Sequence, residues 1–378
     1  MPTTRRAVLA ALPLLLATAR TRSAGVTGDT LHLGASLVLS GPLGTQTAAY
    51  AAGSRLCFEA ANARGGVHDR RIRYTTLDDG FDVQRAVQNT RRLIEQEQVF
   101  LIHNCTGTAH TAAILPLARA AGVIVFGPVT GATSLRQGHE RMLFHVRAGY
   151  ADEAARIVRQ LRELGTTAVA LFAQDDAFGQ ALLVEVKKAA DAAGLRLAAE
   201  VRVDPKQPEL DAAARAVAVA APQAVVMCTA GGTFTGLVKA LQATAVRPTV
   251  YGFSVASADQ LVRELGAAAR GIVLAQIMPS LANRSNPAVN EFLALHEAQA
   301  VGTPPSASMF EGYMHARVLL EGLRRAGRAL DTDRLVAAFE SAGEITFGKF
   351  ALHYTPQSHR GSAYVELAII GSDGRLRY

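Results

Sequence analysis

The chain has 378 residues, 49% of them hydrophobic and 6% aromatic, with no Trp and a formal charge of +7 at pH 7. That length exceeds one comfortable core and points to two domains. The charge shrinks to +3 once the first 24 residues, with Arg5, Arg6, Arg20, Arg22 and no acid, are set aside; the remaining Lys and Arg are interleaved with Asp and Glu and form no basic run, which argues against nucleic acid as a partner.

Residues 1–24 read as an export signal. Arg5 and Arg6 form its charged start, 7–17 an apolar run, and Ala17-Thr18-Ala19 a small-residue cleavage signal, with cleavage after Ala19 or after Ala24. The run is shorter than the roughly 20 apolar residues that span a bilayer. Thr4 to Leu9 also fit a twin-arginine signal, with Val8 and Ala10 where Phe and Lys are usual, so that route and the general secretory one both stay open. No Cys stands at a lipidation position. The mature chain is therefore expected to be soluble and periplasmic.

From there strands and helices alternate. Residues 31–38 read as a strand, 47–63 as a helix stopped by Gly65-Gly66, 71–77 as a strand ending in Asp78-Asp79-Gly80, and 83–95 as a helix. A strand at 99–103, a helix at 108–121 and a strand at 123–126 follow. The rhythm then restarts: helices at 152–164, 179–193, 210–220, 234–243 and 258–265 alternate with strands at 168–172, 195–203, 224–228, 249–252 and 271–276. Three helices, 287–300, 309–326 and 331–341, and short strands at 350–353 and 364–370 close the chain. Short apolar runs alternating with helices imply parallel βαβ units. The fold class is α/β, with two doubly wound lobes.

In such sheets ligands bind outside the carboxyl ends of the strands. The loops at 40–47, 104–108, 127–133, 174–179, 228–233 and 253–257 are the ones concerned, and all are rich in Gly, Ser and Thr. Catalytic constellations are missing: there is no phosphate loop, no nucleophile elbow, no Gly-x-Gly-x-x-Gly in the first βα turn, and no His or Cys spacing suited to a metal. The expectation is no enzyme, no cofactor and no metal. Asp78-Asp79 and Asp175-Asp176 fit turns and helix caps better than an acid–base pair. Cys57, Cys105 and Cys228 sit at core-like positions and are expected as buried free thiols rather than as one disulfide plus one thiol.

The stretches Leu33-Gly34-Ala35-Ser36-Leu37-Val38-Leu39-Ser40-Gly41-Pro42, Asn62-Ala63-Arg64-Gly65-Gly66-Val67, Leu77-Asp78-Asp79, Leu117 to Val123 and Gly127 to Arg136 carry a resemblance. So do Asp175-Asp176-Ala177-Phe178-Gly179 and Tyr364-Val365-Glu366-Leu367. In order and spacing they resemble type I periplasmic solute-binding proteins, in particular the leucine/isoleucine/valine-binding proteins of ABC importers. The resemblance implies two Rossmann-like lobes joined by three crossings, a ligand in the cleft and hinged closure over it. The lobe boundaries follow as 25–148 with 277–353 for the first and 149–276 with 354–378 for the second.

It further implies that a ligand carboxylate meets the loop with Cys105, Thr106 and Thr108 and the loop with Val129, Thr130 and Gly131. A helix starting at Thr108 suits an anion. Gln46 falls at the lid position and Phe178 at the aromatic wall of the second lobe; Tyr150 and Thr229 complete the expected set with Ser254. That last residue is a departure, because the amino-acid binders hold the ligand ammonium with a Glu there. Without an anionic partner a buried ammonium is costly, so a carboxylate lacking the α-amino group fits better. Asp176 or Glu311 could supply a substitute charge, although Glu311 suits a helix start or hinge. The family's disulfide partner for Cys105 would fall near Phe81, so that bridge is expected to be missing. The implied function is capture of a small carboxylate-bearing solute, as a monomer, for delivery to an ABC permease. The alternative is a ligand sensor presenting solute to a receptor or kinase.

Overall fold

Thr30–Leu37 is buried at every position but the first and forms β1, the second strand of a five-stranded parallel sheet. Around it lie α1 (Gly44–Ala63), β2 (Arg71–Asp78), α2 (Val83–Glu95), β3 (Leu101–Cys105), α3 (Thr108–Ala120), β4 (Ile124–Phe126) and β5 (Leu143–Phe144). The sheet order is β2-β1-β3-β4-β5, and register is set pair by pair, with Leu33 of β1 opposite Tyr74 of β2. The computed structural model describes residues 23–41 and 43–378; the charged start and apolar run of the export segment, both readings of its route, the Ala19 cleavage site and Pro42 lie outside the described residues.

The chain then builds a second sheet through α4 (Tyr150–Glu163), β6 (Ala168–Gln174), α5 (Ala177–Ala192), β7 (Arg196–Val203), α6 (Leu210–Ala220), β8 (Ala224–Cys228), α7 (Gly231–Gln242), β9 (Thr249–Gly252), α8 (Ala258–Leu265) and β10 (Val273–Gln276). It returns to the first lobe with α9 (Pro287–Ala298), α10 (Ala307–Ala326), α11 (Thr332–Glu340) and the hairpin β11 (Glu344–Phe347) and β12 (Phe350–His353). It ends in the second sheet, where β13 (Glu366–Ile370) runs antiparallel to β10 and β14 (Leu376–Arg377) closes the edge. Three connections therefore pass between the sheets, after β5, after β10 and after β12. The fold is that of two Rossmann-like lobes.

Each sheet is covered on both faces, as buried parallel strands require. One face of the first sheet packs Leu33, Phe58 and Phe126 against Tyr313 and Leu319 of α10; the other packs Ile102 and Val125 against Leu93 of α2 and Ile114 of α3. In the second lobe Val169 and Leu171 face α4 and α5, while Ala170 and Phe172 face α6 and α7. Cys57, Cys105 and Cys228 are free and buried in these layers. Three short strands, β5, β11 and β14, add to the sequence expectation. Two residues show no periodicity, and Glu344–Phe347 alternates for one turn of pleat before Gly348 at φ +69 reverses the chain. No helix among the described residues is long and apolar enough to cross a membrane.

Candidate functional site

The carboxyl ends of both sheets face a shared cleft whose innermost space is a cavity of about 80 Å³. The first lobe contributes Gln46, Thr47 and Tyr50 of α1, Phe81, Thr106 and Val129; the second contributes Tyr150, Gln174, Phe178 and Val255. The two lobes are in direct contact across the cavity. Gln46 Nε2 donates to the Val255 carbonyl at 3.1 Å across the cleft. Tyr150 and Phe178 meet edge to face with centroids 6.1 Å apart, a favourable aromatic geometry. Opposite them Phe81, at φ +63, stacks on His110 at 4.7 Å.

No charged side chain lines this cavity. The polar side chains that line it are Gln46, Thr47, Tyr50, Thr106, Tyr150 and Gln174, and helix ends border it. Helices α1, α3, α4, α6 and α7 begin without a hydrogen bond from an N-cap side chain, whereas α2, α5, α8, α9, α10 and α11 each carry one. Three of the five residues preceding the uncapped helices, Leu43, Gly107 and Ala230, border the cavity, while Gly149 before α4 and Glu209 before α6 do not. Free N–H groups there need a partner, and a helix start favours negative charge. Beside the start of α3, the hydroxyl of Thr106 is buried and has no hydrogen-bond partner.

The sequence profile described as "Periplasmic binding protein" matches residues 30–375. The chain belongs to the periplasmic binding protein family. Among solved structures it is similar to an extracellular ligand-binding receptor from Verminephrobacter eiseniae, at 28% identity over 93% of this chain and 100% of that one, with a TM-score of 0.87. It is similar to a substrate-binding periplasmic protein from Ralstonia solanacearum, at 26% identity over 92% and 99% of the two chains and a TM-score of 0.84. A possible leucine/isoleucine/valine-binding protein from Rhodopirellula baltica matches at 25% identity over 95% and 98%, with a TM-score of 0.83. No curated protein matches. Proteins of this family bind solute and do not transform it.

Of the residues expected at the site of this binding protein, Gln46, Thr106, Val129, Tyr150 and Phe178 line the cavity together. The others stand behind it. Thr108 and Thr130 join hydroxyls at 2.9 Å, and Thr130 also accepts from the Ala132 N–H at 3.2 Å. Gly131 accepts from the Tyr150 N–H at 2.8 Å, and a Cβ there would lie 2.5 Å from the Tyr150 ring. Thr229 donates to Gln174 Oε1 at 2.8 Å, while Gln174 Nε2 donates to Asp176 at 2.7 Å. Cys105 lies in the core, its thiol pushed up to about 12 by burial, with its carbonyl accepting from Val129 N–H.

Ser254 is committed elsewhere. Its N–H and hydroxyl donate to the two oxygens of Glu153 at 2.8 and 3.0 Å, and its hydroxyl accepts from the Arg147 guanidinium. Arg147 is fully buried, 3.8 Å from Glu153 and 3.4 Å from Glu311. A carboxylate thus does stand at the Ser254 position, supplied by α4, but it is spent on this network. Burial raises the Glu153 carboxyl to about 7 against the pull of Arg147, and burial raises Glu311 likewise. Burial opposes the Arg147 charge, yet Glu311, Tyr150 and Glu153 outweigh it and hold the guanidinium above its ordinary range. Because Arg147 precedes the first crossing while Glu153 and Glu311 lie on helices of different lobes, the network ties the lobes at their base. Sequence reading missed it, since its members are up to 164 residues apart.

A larger opening of about 660 Å³ also reaches Ser254 and Glu311, from the side of the second crossing and the C-terminal residues. Arg284, Arg375 and Arg377 border it, and it lies away from the loops that follow β3, β4 and β6. Its volume exceeds that of the inner cavity.

Proposed function

We propose that this protein captures a small carboxylate with an apolar or aromatic body, lacking an α-amino group, and delivers it to an ABC permease. The observation that carries the reading is a cavity bordered by three uncapped helix starts and by no charged side chain. Helix N–H groups and the Thr106 hydroxyl suit an anion. An ammonium brought to the same place would have no counter-charge, which costs several kcal/mol by order of magnitude. Phe81, Tyr150, Phe178 and Val129 offer the apolar body its contacts.

On this reading the protein works as a monomer outside the cytoplasmic membrane after removal of residues 1–24, and its lobes are 25–148 with 277–353 and 149–276 with 354–378. Closure would be driven by the difference between the ligand's contacts in the closed and open forms. The test is a thermal-shift screen of the mature protein against Leu, Ile and Val beside matched carboxylic acids without the amino group. At a hundredfold excess over Kd a true ligand stabilises by about 2.7 kcal/mol. Shifts confined to the acids are expected; a shift with the amino acids alone refutes the reading.

A further inference from the structure

We infer that His139, Glu340 and His359 form a binding site for a divalent transition-metal cation of the zinc type, remote from the solute cleft. One donor atom from each of the three lies within 4.8 Å of the others. His359 Nε2 is 3.0 Å from Glu340 Oε1, close to the separation of two ligands on a tetrahedral ion with bonds of about 2.0–2.1 Å. The exposed His139 ring meets the His359 ring edge to face at 4.7 Å, so small side-chain rotations bring all three donors to one point.

The surroundings favour a cation there. Glu340 is the last residue of α11, where the helix dipole already presents partial negative charge and a carboxylate is locally unfavourable. Among the described residues no Lys or Arg pairs with it; its one partner is His359. Stacking on Phe144 at 3.7 Å fixes the plane of the His359 ring. Two imidazoles and one carboxylate are a donor set that zinc accepts, with a fourth position left for water.

The three residues come from the loop before β5, the end of α11 and the connection from β12 to β13. That connection runs beside the first crossing, with His145 N–H donating to the His359 carbonyl and Ser362 N–H to the Val146 carbonyl. A bound ion would clip the third crossing to the first lobe. Sequence spacing gave no sign of it, because His139 and His359 are 220 residues apart.

The test uses protein purified without a polyhistidine tag, loaded with ZnCl2, passed through gel filtration and assayed for retained zinc and unfolding temperature. One zinc per chain and a raised unfolding temperature reversed by EDTA are expected for the wild type. His139→Ala, at an exposed position, and Glu340→Gln, which still offers His359 an acceptor, are each expected to lose both effects. Absence of retained zinc in the wild type, or retention unchanged in both variants, overturns the assignment. Co2+ loading gives an independent readout, since tetrahedral cobalt would absorb in the visible and the His139→Ala protein would not.

Discussion

At the scale of single residues, Glu153 is where physical chemistry bears most directly on behaviour. It shares one guanidinium with Glu311 in a fully buried setting, so two carboxylates and one cation compete, and desolvation pushes the carboxyl up to about 7. In the unfolded chain it returns to 4.5. Between those values the folded state holds a proton that the unfolded state has released, so stability falls as pH rises through this window. The slope is at most about 1.4 kcal/mol per pH unit for one proton. Buried His145 and His315, held well below their usual range by desolvation, act in the opposite direction. Glu153→Gln therefore isolates the effect: the difference in urea stability between variant and wild type should shift in the variant's favour from pH 5 to pH 7.5. A difference that stays flat over that range refutes the assignment of the proton to Glu153.

At the scale of elements, what the sequence made legible were the periodic ones. Helices at Val83–Glu95, Leu210–Ala220 and Ala258–Leu265 and strands at Ala224–Cys228 and Thr249–Gly252 lie where pattern and punctuation put them. Helix starts were read late: Gly44, Ala177 and Gly231 begin helices two or three residues before the first apolar signal, because the small residues of the cleft loops are already helical. Tertiary spacing was not legible at all. Helices α1 and α10 approach so closely that a Cβ on Gly53 would overlap the Met309 carbonyl and one on Gly312 the Tyr50 carbonyl. Gly312→Ala gains about 1 kcal/mol of helix propensity, but a backbone carbonyl cannot rotate away, and overpacking costs about 1–3 kcal/mol or more. The variant is expected to unfold at lower urea, while Gly232→Ala in α7, with open space around its Cβ, should be neutral or more stable. Equal behaviour of the two would show that the α1–α10 contact relaxes freely.

At the scale of the whole molecule, the two-lobe plan was legible because a βα rhythm repeated over the chain admits few topologies, and the cleft followed from the rule that loops after parallel strands face ligands. Which loop residues reach the cavity was not legible, since Thr106 and Thr108 differ only in which way a turn aims them; one hydroxyl is unpartnered at the cavity and the other is paired with Thr130. The place of Phe81 in the wall was not legible either, because it depends on the left-handed backbone at Gly80 and Phe81. Among the described residues Gln46 to Val255 is a direct bond between the lobes at the cavity. In a two-state hinge, a bond present only in the closed form strengthens apparent ligand affinity by its own net worth, because ligand binding must draw on the closed population. A neutral hydrogen bond is worth about 0.5–1.5 kcal/mol net, so Gln46→Ala should weaken binding of the carboxylate found by screening roughly 2- to 12-fold. Small-angle scattering should show the same ligand-induced fall in radius of gyration at saturation for both proteins, because the closed geometry is kept and only its population changes. An unchanged Kd in Gln46→Ala would mean that this bond persists in the open form as well, and that the hinge moves about a line that keeps α1 and the Val255 loop together.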